Sequence, residues 1–497
     1  MKKGLVKITG AGIGPSDLIT LRAQEAIATC DVLIYDRLLN PDLILPYLKD
    51  KEVYYAGKRA SHHYLTQDEI NALMVEKAKE GKVVCRLKGG DPYVFGRGGE
   101  EALYCLDHGV DFEVIPGVTS GIVSLMYAGI PATHRGKSTS VSFITGHRSK
   151  GDPGDFHGYA KLEGTLVFYM GLNNLPLITG ELMEAGMDPD RKAAVIMHGG
   201  YPDQRVFRST VGKIADEIQD QNFGSPSLIV IGDVVDLRDD LNFYEALPLF
   251  GKRIAITRAR TQASKLAKTL RNLGAEVIEA PCIQLERVHQ KTLKKRIEEA
   301  QDFNYLIFHS VNAVEIFMDA YLETRDLRDL AGVKLCVIGE KTKACLEGYG
   351  LRADLVPEDY VGESLVEEIK ADPKKDKKIF IPHSNKSRQS LLDQYKDLGA
   401  VDDLVVYRNV APDKMEEIQG PLDYVLFTSS STVNNFVSHY GKEILEGTKL
   451  VSIGPITTKA IEDQGLSLAG QSEKATIPSM VAWIKEDVHN ADAKNSK

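Results

Sequence analysis

Residues Leu87 to Glu101 read LKGGDPYVFGRGGEE, the stretch of the chain best suited to chemistry. Five glycines (Gly89, Gly90, Gly96, Gly98, Gly99) stand with Asp91, Pro92, two aromatics and Arg97. Glycine and proline together disfavour helix and strand, and glycine lets backbone groups approach a ligand closely. A second glycine cluster, Gly10-Ala11-Gly12-Ile13-Gly14-Pro15, follows the apolar run Leu5–Thr9. A further apolar run, Asp31–Tyr35, ends at Asp36-Arg37, the β–turn–α–β order of a nucleotide fold. A dinucleotide fingerprint with Asp36 on the ribose would need GxGxxG, whereas the spacing here is GxGxG with proline at the next position. The chemistry on offer is therefore ligand binding by backbone and carboxylate at strand ends, with GxGxG alone weak evidence for any particular nucleotide.

The elements that must position these groups are legible from periodicity and breakers. Val83–Leu87 reads as a strand feeding the glycine loop, and Glu100–Leu103 as a helix start with acids in its first turn. Helices are expected over Leu18–Thr29, starting near Pro15 or Asp17, and over about Gln67–Glu80. Further strands are expected at Val141–Thr145, Thr165–Tyr169, Ala193–Met197 and Leu228–Ile231, each ending in glycine or polar residues. In an open α/β sheet such ends are where ligands sit. Arg238–Phe250 loses strand periodicity and marks a domain boundary, after which Arg253–Thr257, Gln262–Leu273 and Glu276–Ala280 restart a β–α–β pattern. The second half repeats weakly: Tyr305–Val314 resembles Tyr424–Val433, and Leu335–Ala344 resembles Leu450–Ala460, as two similar α/β lobes would. The polar tail from His489 to Lys497 is expected to be disordered.

Composition sets the class. With 497 residues, 43% hydrophobic and 26% charged, the chain is that of a multidomain globular protein. The net charge of −9 gives no footprint for nucleic acid. Six scattered cysteines without a CxxC pair indicate neither a zinc site nor a disulfide framework. No apolar run approaches membrane-helix length, and the N-terminus runs directly into a strand without a signal peptide. A cytoplasmic protein, without membrane or nucleic-acid partners and without a metal, is the expectation.

The motifs then carry a resemblance. GAGIG, YDRLL at Tyr35–Leu39, GKRA around Lys58, the opening loop, PGVTS, GIPATHRG, MGL and SLIVIGDVVDLRDDLNF are similar to those of the uroporphyrinogen-III C-methyltransferases. From Gly251 to Glu486, ITRAR, IGEKT, IGPITTKA and VVYRN resemble uroporphyrinogen-III synthase. The resemblance implies a tetrapyrrole methylase fold at 1–247, two α/β subdomains with the active-site cleft between them. A bilobal α/β synthase fold is implied at 250–490, its lobes being about 251–285 plus 411–490, and 286–410. It also implies S-adenosyl-L-methionine as methyl donor, S-adenosyl-L-homocysteine as product, hydroxymethylbilane and uroporphyrinogen III as substrates, and a homodimer through the N-terminal domain. Methylation at C2 and C7 would give precorrin-2, on the sirohaem or cobalamin route.

Site residues follow from the same resemblance. Ile13, Gly89, Gly90, Asp91, Val94, Thr119, Ser120, Met170 and Gly199 are implied to bind the cofactor, with core packing as the alternative for Met170. Asp36 resembles the proton acceptor and Lys58 the proton donor, a solvated carboxylate-binding cation being the alternative for the lysine. The substrate carries eight carboxylates, for which Arg37, Arg59, Arg97, His134 and Arg135 are candidates, with Lys58, His62, Arg86 and Lys88 also in reach of the motif. Arg97 has a second reading, pinning its own loop. In the synthase half Tyr407 aligns with the tyrosine that assists loss of the hydroxyl, a buried strand tyrosine being the alternative. Arg258, Ser310, Thr342, Ser429 and Thr458 are candidate carboxylate partners. One departure stands out: the family places Asp after the third glycine of GxGxG, where this chain has Pro15, while Asp17 is retained. The competing functions are a dinucleotide dehydrogenase in the first half and a non-catalytic tetrapyrrole-binding or regulatory module in the second.

Overall fold

The computed structural model describes residues 3–37, 39–48, 51–57, 65–147, 155–258, 260–359, 361–412, 415 and 417–495. Two compact units divide the chain. One holds the residues up to Lys252 with Leu270–Glu276 and the end from Lys485; the other holds Arg253–Thr269 and Val277–Ile484.

Among the described residues the first unit is built on two five-stranded sheets. Strands β1 (Leu5–Gly10), β2 (Val32–Tyr35), β3 (Glu52–Tyr55), β4 (Val83–Lys88) and β5 (Asp111–Ile115) form a wholly parallel sheet in the order β3-β2-β4-β1-β5. Such a sheet must be covered on both faces. Val6, Ile8, Val32, Ile34 and Val84 pack on one face with Ile70, Met74 and Ala102. Leu33, Cys85 and Leu87 pack on the other with Ala23, Ala26 and Ile27. Three of the covering helices are α1 (Leu21–Thr29), α2 (Gln67–Lys79) and α3 (Gly98–Asp107). The helix expected from Leu18 begins later: Ser16–Leu18 is a 3-10 turn, and Thr20 is the true N-cap, its Oγ1 accepting from the Ala23 amide at 3.2 Å. For α2 the expectation holds, with Thr66 and Glu69 forming a reciprocal capping box.

After helix α4 (Ser120–Tyr127), strands β6 (Val141–Thr145), β7 (Thr165–Tyr169), β8 (Lys192–Met197), β9 (Arg205–Thr210) and β10 (Ser227–Ile231) make the second sheet, ordered β6-β7-β10-β8-β9. Only β6 and β7 run parallel; the other pairs are antiparallel.

The second unit also carries two sheets. Strands β11 (Arg253–Ile256) and β12 (Glu276–Glu279) open the first lobe. The chain then leaves for β13 (Gln284–Arg287), β14 (Tyr305–Phe308), β15 (Lys334–Val337), β16 (Lys377–Ser384) and β17 (Gly399–Val410), ordered β13-β17-β16-β14-β15. It returns with β18 (Tyr424–Phe427), β19 (Lys449–Ser452) and β20 (Leu468–Gln471) to complete β12-β11-β18-β19-β20. The internal repeat is structural: β14 and β18 each feed a serine-capped helix, at Ser310 and Ser429, and β15 and β19 each feed a helix beginning after a glycine, Gly339 and Gly454. The C-terminal expectation is corrected. Helix Ile477–Asn495 runs through the polar tail, because Met480, Ile484 and Val488, four residues apart, bury one face of it.

Candidate active sites

Strand register builds the first site. In the parallel pair of β2 and β4, Ile34 lies opposite Arg86 and Tyr35 opposite Leu87, so Asp36, one residue beyond β2, comes level with Lys88. Alternation along β4 sends Val84, Arg86 and Lys88 to one face, where the side of α3 bearing Glu101, Ala102 and Cys105 covers them. The result is a buried four-charge cluster. Arg86 donates to Asp36 Oδ1 at 2.7 Å and to Glu101 Oε1 at 3.1 Å. Lys88 Nζ donates to Glu101 Oε1 at 2.8 Å and lies 3.9 Å from Asp36 Oδ2. Gln67 donates to the same Glu101 oxygen at 3.0 Å, whereas the buried Glu101 Oε2 has no hydrogen-bond partner among the described residues. Burial works against the Arg86 charge, and Asp36 with Glu101 outweighs it, holding the guanidinium above its ordinary range. For Lys88, burial and the neighbouring Arg86 prevail and lower the ammonium.

Of the four, Glu101 is fully buried and Asp36 about one third exposed. Asp36 faces a cavity of about 380 Å³ lined also by Thr66, Gln67, Arg86, Lys88, Gly89, Phe95 and Arg97. Arg86 and Lys88, candidate carboxylate partners, line this cavity while already paired with Asp36 and Glu101. Arg97 is held by Glu100 in three hydrogen bonds, at 2.6, 3.0 and 3.2 Å, so it pins its loop while also lining the cavity. Arg37 is exposed beyond β2, and His134 and Arg135 are exposed in the turn closed by the His134–Ser138 bridge, outside the cavity lining. Lys58 and Arg59 lie outside the described residues.

The candidate cofactor residues gather at the ends of five strands. Gly12 and Gly90 bridge the first two loops, Gly12 N–H donating to Gly90 O at 3.2 Å and Gly90 N–H to Gly12 O at 2.9 Å. Asp91 fixes two more amides, of Tyr93 at 2.8 Å and Gly117 at 3.1 Å. The loops meet so closely that a Cβ on Gly117 would lie 2.2 Å from Gly90 O, and one on Gly14 2.9 Å from Gly200 O. Gly199 packs on Ser124 in the same way, which explains its lack of a side chain by packing.

Tyr169, at the end of β7, was not singled out from the sequence, yet it ties this region together. Thr119 is the N-cap of α4 but makes no side-chain cap bond. The Tyr169 hydroxyl replaces it, accepting from Gly121 N–H at 2.7 Å and pairing with Thr119 Oγ1 at 2.9 Å. Burial raises the Tyr169 phenol, keeping it a neutral hydroxyl. The next residue, Met170, is 55% exposed in a left-handed conformation at φ 56°, which removes the core-packing alternative for it. The ring of exposed Phe95 packs tilted against Tyr169, centroids 4.9 Å apart, and half-buried Val94 is its chain neighbour. Open backbone at glycine, the hydroxyls of Thr119 and Ser120, and the apolar Met170 and Val94 suit a ligand with an adenosine head and a methionine-type tail bearing a sulfonium or thioether sulfur. The donor set fits S-adenosylmethionine without a phosphate.

The second site lies in the synthase-like unit. A cavity of about 360 Å³ is lined by His309, Ser310, His383, Ser384, Lys386, Arg388 and Tyr407, among others. Tyr407 OH meets Ser310 Oγ at 2.9 Å, so these two candidates are brought together. Tyr407 is 4% exposed, yet its hydroxyl end reaches the cavity wall. Lys386 reaches from this lobe to Ser431 Oγ of the other at 2.8 Å, two residues from Ser429. His309 is pushed down to about 4 by burial, with His383 and Arg388 adding to it. The segment His383–Arg388 (HSNKSR) was not picked from the sequence; two serines, a lysine and an arginine at the end of a buried strand were the available signal. Other candidates move away from the cavity. Thr342 is buried and offers no open side to a carboxylate, while Thr458 spends its hydroxyl on Ser452 at 2.6 Å and Gln471 at 2.7 Å. Ser310 and Ser429 also cap their helices, accepting from Ala313 N at 3.3 Å and Thr432 N at 3.4 Å. Arg258 follows β11, half-buried.

Residues 7–215 match the family of Tetrapyrrole (Corrin/Porphyrin) Methylases, and residues 264–482 match Uroporphyrinogen-III synthase HemD. A porphyrin biosynthesis protein HemD from Ruminiclostridium josui is 36% identical over 498 residues, covering 98% of each chain. The chain belongs to this methylase–synthase family. A uroporphyrinogen-III C-methyltransferase from Bacillus subtilis (strain 168) is 39% identical over 72% of this chain and 74% of its own. Among solved structures, a uroporphyrin-III C-methyl transferase from Thermus thermophilus complexed with S-adenyl homocysteine is 34% identical, with a TM-score of 0.41 over 47% of this chain and 93% of that one. As a member of the family, the chain is a tetrapyrrole-biosynthesis enzyme with an S-adenosylmethionine-dependent methyltransferase half and a uroporphyrinogen-III synthase half. Among the described residues no helix is long and apolar enough to cross a membrane.

Proposed function

We propose that the second half closes hydroxymethylbilane to uroporphyrinogen III with inversion of ring D, and that the first half methylates that product at C2 and C7 to give precorrin-2. The observation that carries the reading is Gly89: it lines the Asp36 cavity, while its neighbour Gly90 is bridged to the GxGxG loop. A proton acceptor and a methyl-donor site thereby share one wall. Bound S-adenosylmethionine supplies an electrophilic methyl on a sulfonium. The protein's part is to orient the attacking pyrrole carbon and to take up the ring proton at the Asp36 carboxylate. Arg97, in the cavity lining, is read as a carboxylate partner, and Lys58 is read from the sequence resemblance as the proton donor.

In the synthase half, Tyr407 assists the departing hydroxyl, its own hydroxyl oriented by Ser310. Lys386 and Arg388 supply positive charge for the substrate carboxylates. We extend the proposal to a cytoplasmic homodimer formed through the first half.

The test is to supply hydroxymethylbilane with S-adenosylmethionine anaerobically and identify the product by mass and spectrum. Precorrin-2 is expected. Only the unrearranged type I isomer would make the second half a non-catalytic module, and uroporphyrinogen III without added methyl groups would remove the methyltransferase reading.

A further inference from the structure

The four-charge cluster contains a residue that the reading above does not use. Glu101 lies in the first turn of α3, where an acid normally faces solvent and the helix dipole, yet it is fully buried. Three donors, from Arg86, Lys88 and Gln67, converge on one of its oxygens. The other oxygen has none among the described residues. A buried carboxylate is costly unless paired, and this one meets two cations that both also face Asp36.

We propose that Glu101 is a positioning residue for the methyl-transfer step, acting through Arg86 and Lys88 to hold the Asp36 carboxylate oriented and electrically balanced at the cavity wall. This rests on the assignment of Asp36 as proton acceptor. Arg86 Nε on Glu101 and Arg86 NH2 on Asp36 lock one guanidinium between two carboxylates, so Asp36 cannot turn without breaking a 2.7 Å bond. With Glu101 charged, two cations face two anions. Without its charge, two buried cations face Asp36 alone and stabilise its ionised form, making it a poorer base. The charged groups around Asp36 among the described residues are Arg86 and Lys88 of β4 and Glu101 of α3. Arg97 and Glu100 pair with each other at the start of α3, Asp68 of α2 faces Arg97, and Cys105 faces Glu101.

The unpartnered oxygen makes a clean test available. In Glu101→Gln the amide oxygen keeps the three donors, and the amide nitrogen takes the position that no donor of the described residues faces. Geometry is retained and charge is lost. The readout is the pH profile of kcat/KM for uroporphyrinogen III methylation by the full chain. Glu101→Gln should move the acidic limb down by about one pH unit and lower the plateau several-fold. Lys88→Met should move the limb up, and the double variant should return it towards the wild type. S-adenosylhomocysteine affinity, measured by calorimetry, reports folding of each variant. Should Glu101→Gln fail to bind it, Lys88→Met alone decides, an upward shift supporting the proposal and a static limb overturning it. Limbs that stay fixed in both variants, whatever the rates, overturn it by showing a structural role only. Wild-type enzyme without methyl transfer to uroporphyrinogen III removes the functional reading itself, whereas active wild type with fixed limbs removes only the role of Glu101.

Discussion

Tyr169→Phe removes one oxygen and keeps the ring, so its contacts with Phe95 and Phe143 survive. Two hydrogen bonds are lost, from the Gly121 amide at 2.7 Å and with the Thr119 hydroxyl at 2.9 Å. Tyr169 and Thr119 are buried, so water cannot replace either bond freely. An N-terminal helix amide left without its acceptor costs about 1–2 kcal/mol, and the Thr119 hydroxyl, which can rotate, about 1 kcal/mol more. The unit should lose about 2–3 kcal/mol of stability. The same turn carries Thr119 and Ser120, the candidate cofactor hydroxyls. If about half of that cost is met again when the ligand orders the turn, S-adenosylhomocysteine affinity falls about tenfold, since each 1.4 kcal/mol is a factor of ten. Urea unfolding and calorimetric titration of the same preparation give both numbers. A lowered unfolding midpoint with affinity within twofold of wild type would refute the link between capping and cofactor binding. Unchanged values in both would refute the hydrogen bonds themselves.

Other outcomes follow from the same geometry. Asp36→Asn should slow methylation at least tenfold while S-adenosylhomocysteine still binds, and unchanged turnover would remove Asp36 from the chemistry. Tyr407→Phe should slow formation of the type III isomer and leave methylation of supplied uroporphyrinogen III intact, measured by separating the isomers. Gly117→Ala places a Cβ 2.2 Å from Gly90 O and should cost about 1–3 kcal/mol or prevent folding, read by thermal unfolding. His309 is neutral when folded down to about pH 4, whereas unfolded histidine titrates near 6.5. The unfolded chain therefore binds the extra proton in that window, and stability falls with decreasing pH by at most about 1.4 kcal/mol per unit. His309→Gln should flatten that slope in unfolding curves taken between pH 6.5 and 4.5.

Much of the frame could be read from residue order, because β-runs ending in glycine are strong local signals. Val83–Leu87 lies within β4, Gln67–Glu80 exceeds α2 by one residue, and the repeat around Ser310 and Ser429 is a true structural repeat. Long-range encounters were harder to read. Nothing local tells that Gly10 and Gly90 meet Gly117, or that a tyrosine from β7 caps α4. Glu100 and Glu101 look alike beside a helix start. The helical period decides between them: Glu101 is four residues before the buried Cys105 and next to Ala102, so it turns inward. Arg86 and Lys88, alternating with Cys85 and Leu87 in a fully buried strand, were the matching signal for inward cations. Thr342 illustrates the opposite failure, a loop-like hydroxyl that the helix start carries into the interior.

The bilobal unit is threaded, since the chain passes from one lobe to the other between Glu279 and Gln284 and back between Val410 and Tyr424. Two tethers constrain motion differently from one. A single linker leaves its modules free to twist, whereas a pair confines them to swinging about the line joining the two crossings. Opening and closing becomes a motion with essentially one degree of freedom, and little orientational entropy is surrendered when the lobes close on a ligand. The Lys386–Ser431 bond, made across that swing, is a ready gauge of it: a spectroscopic distance pair placed on those two segments would read closure directly.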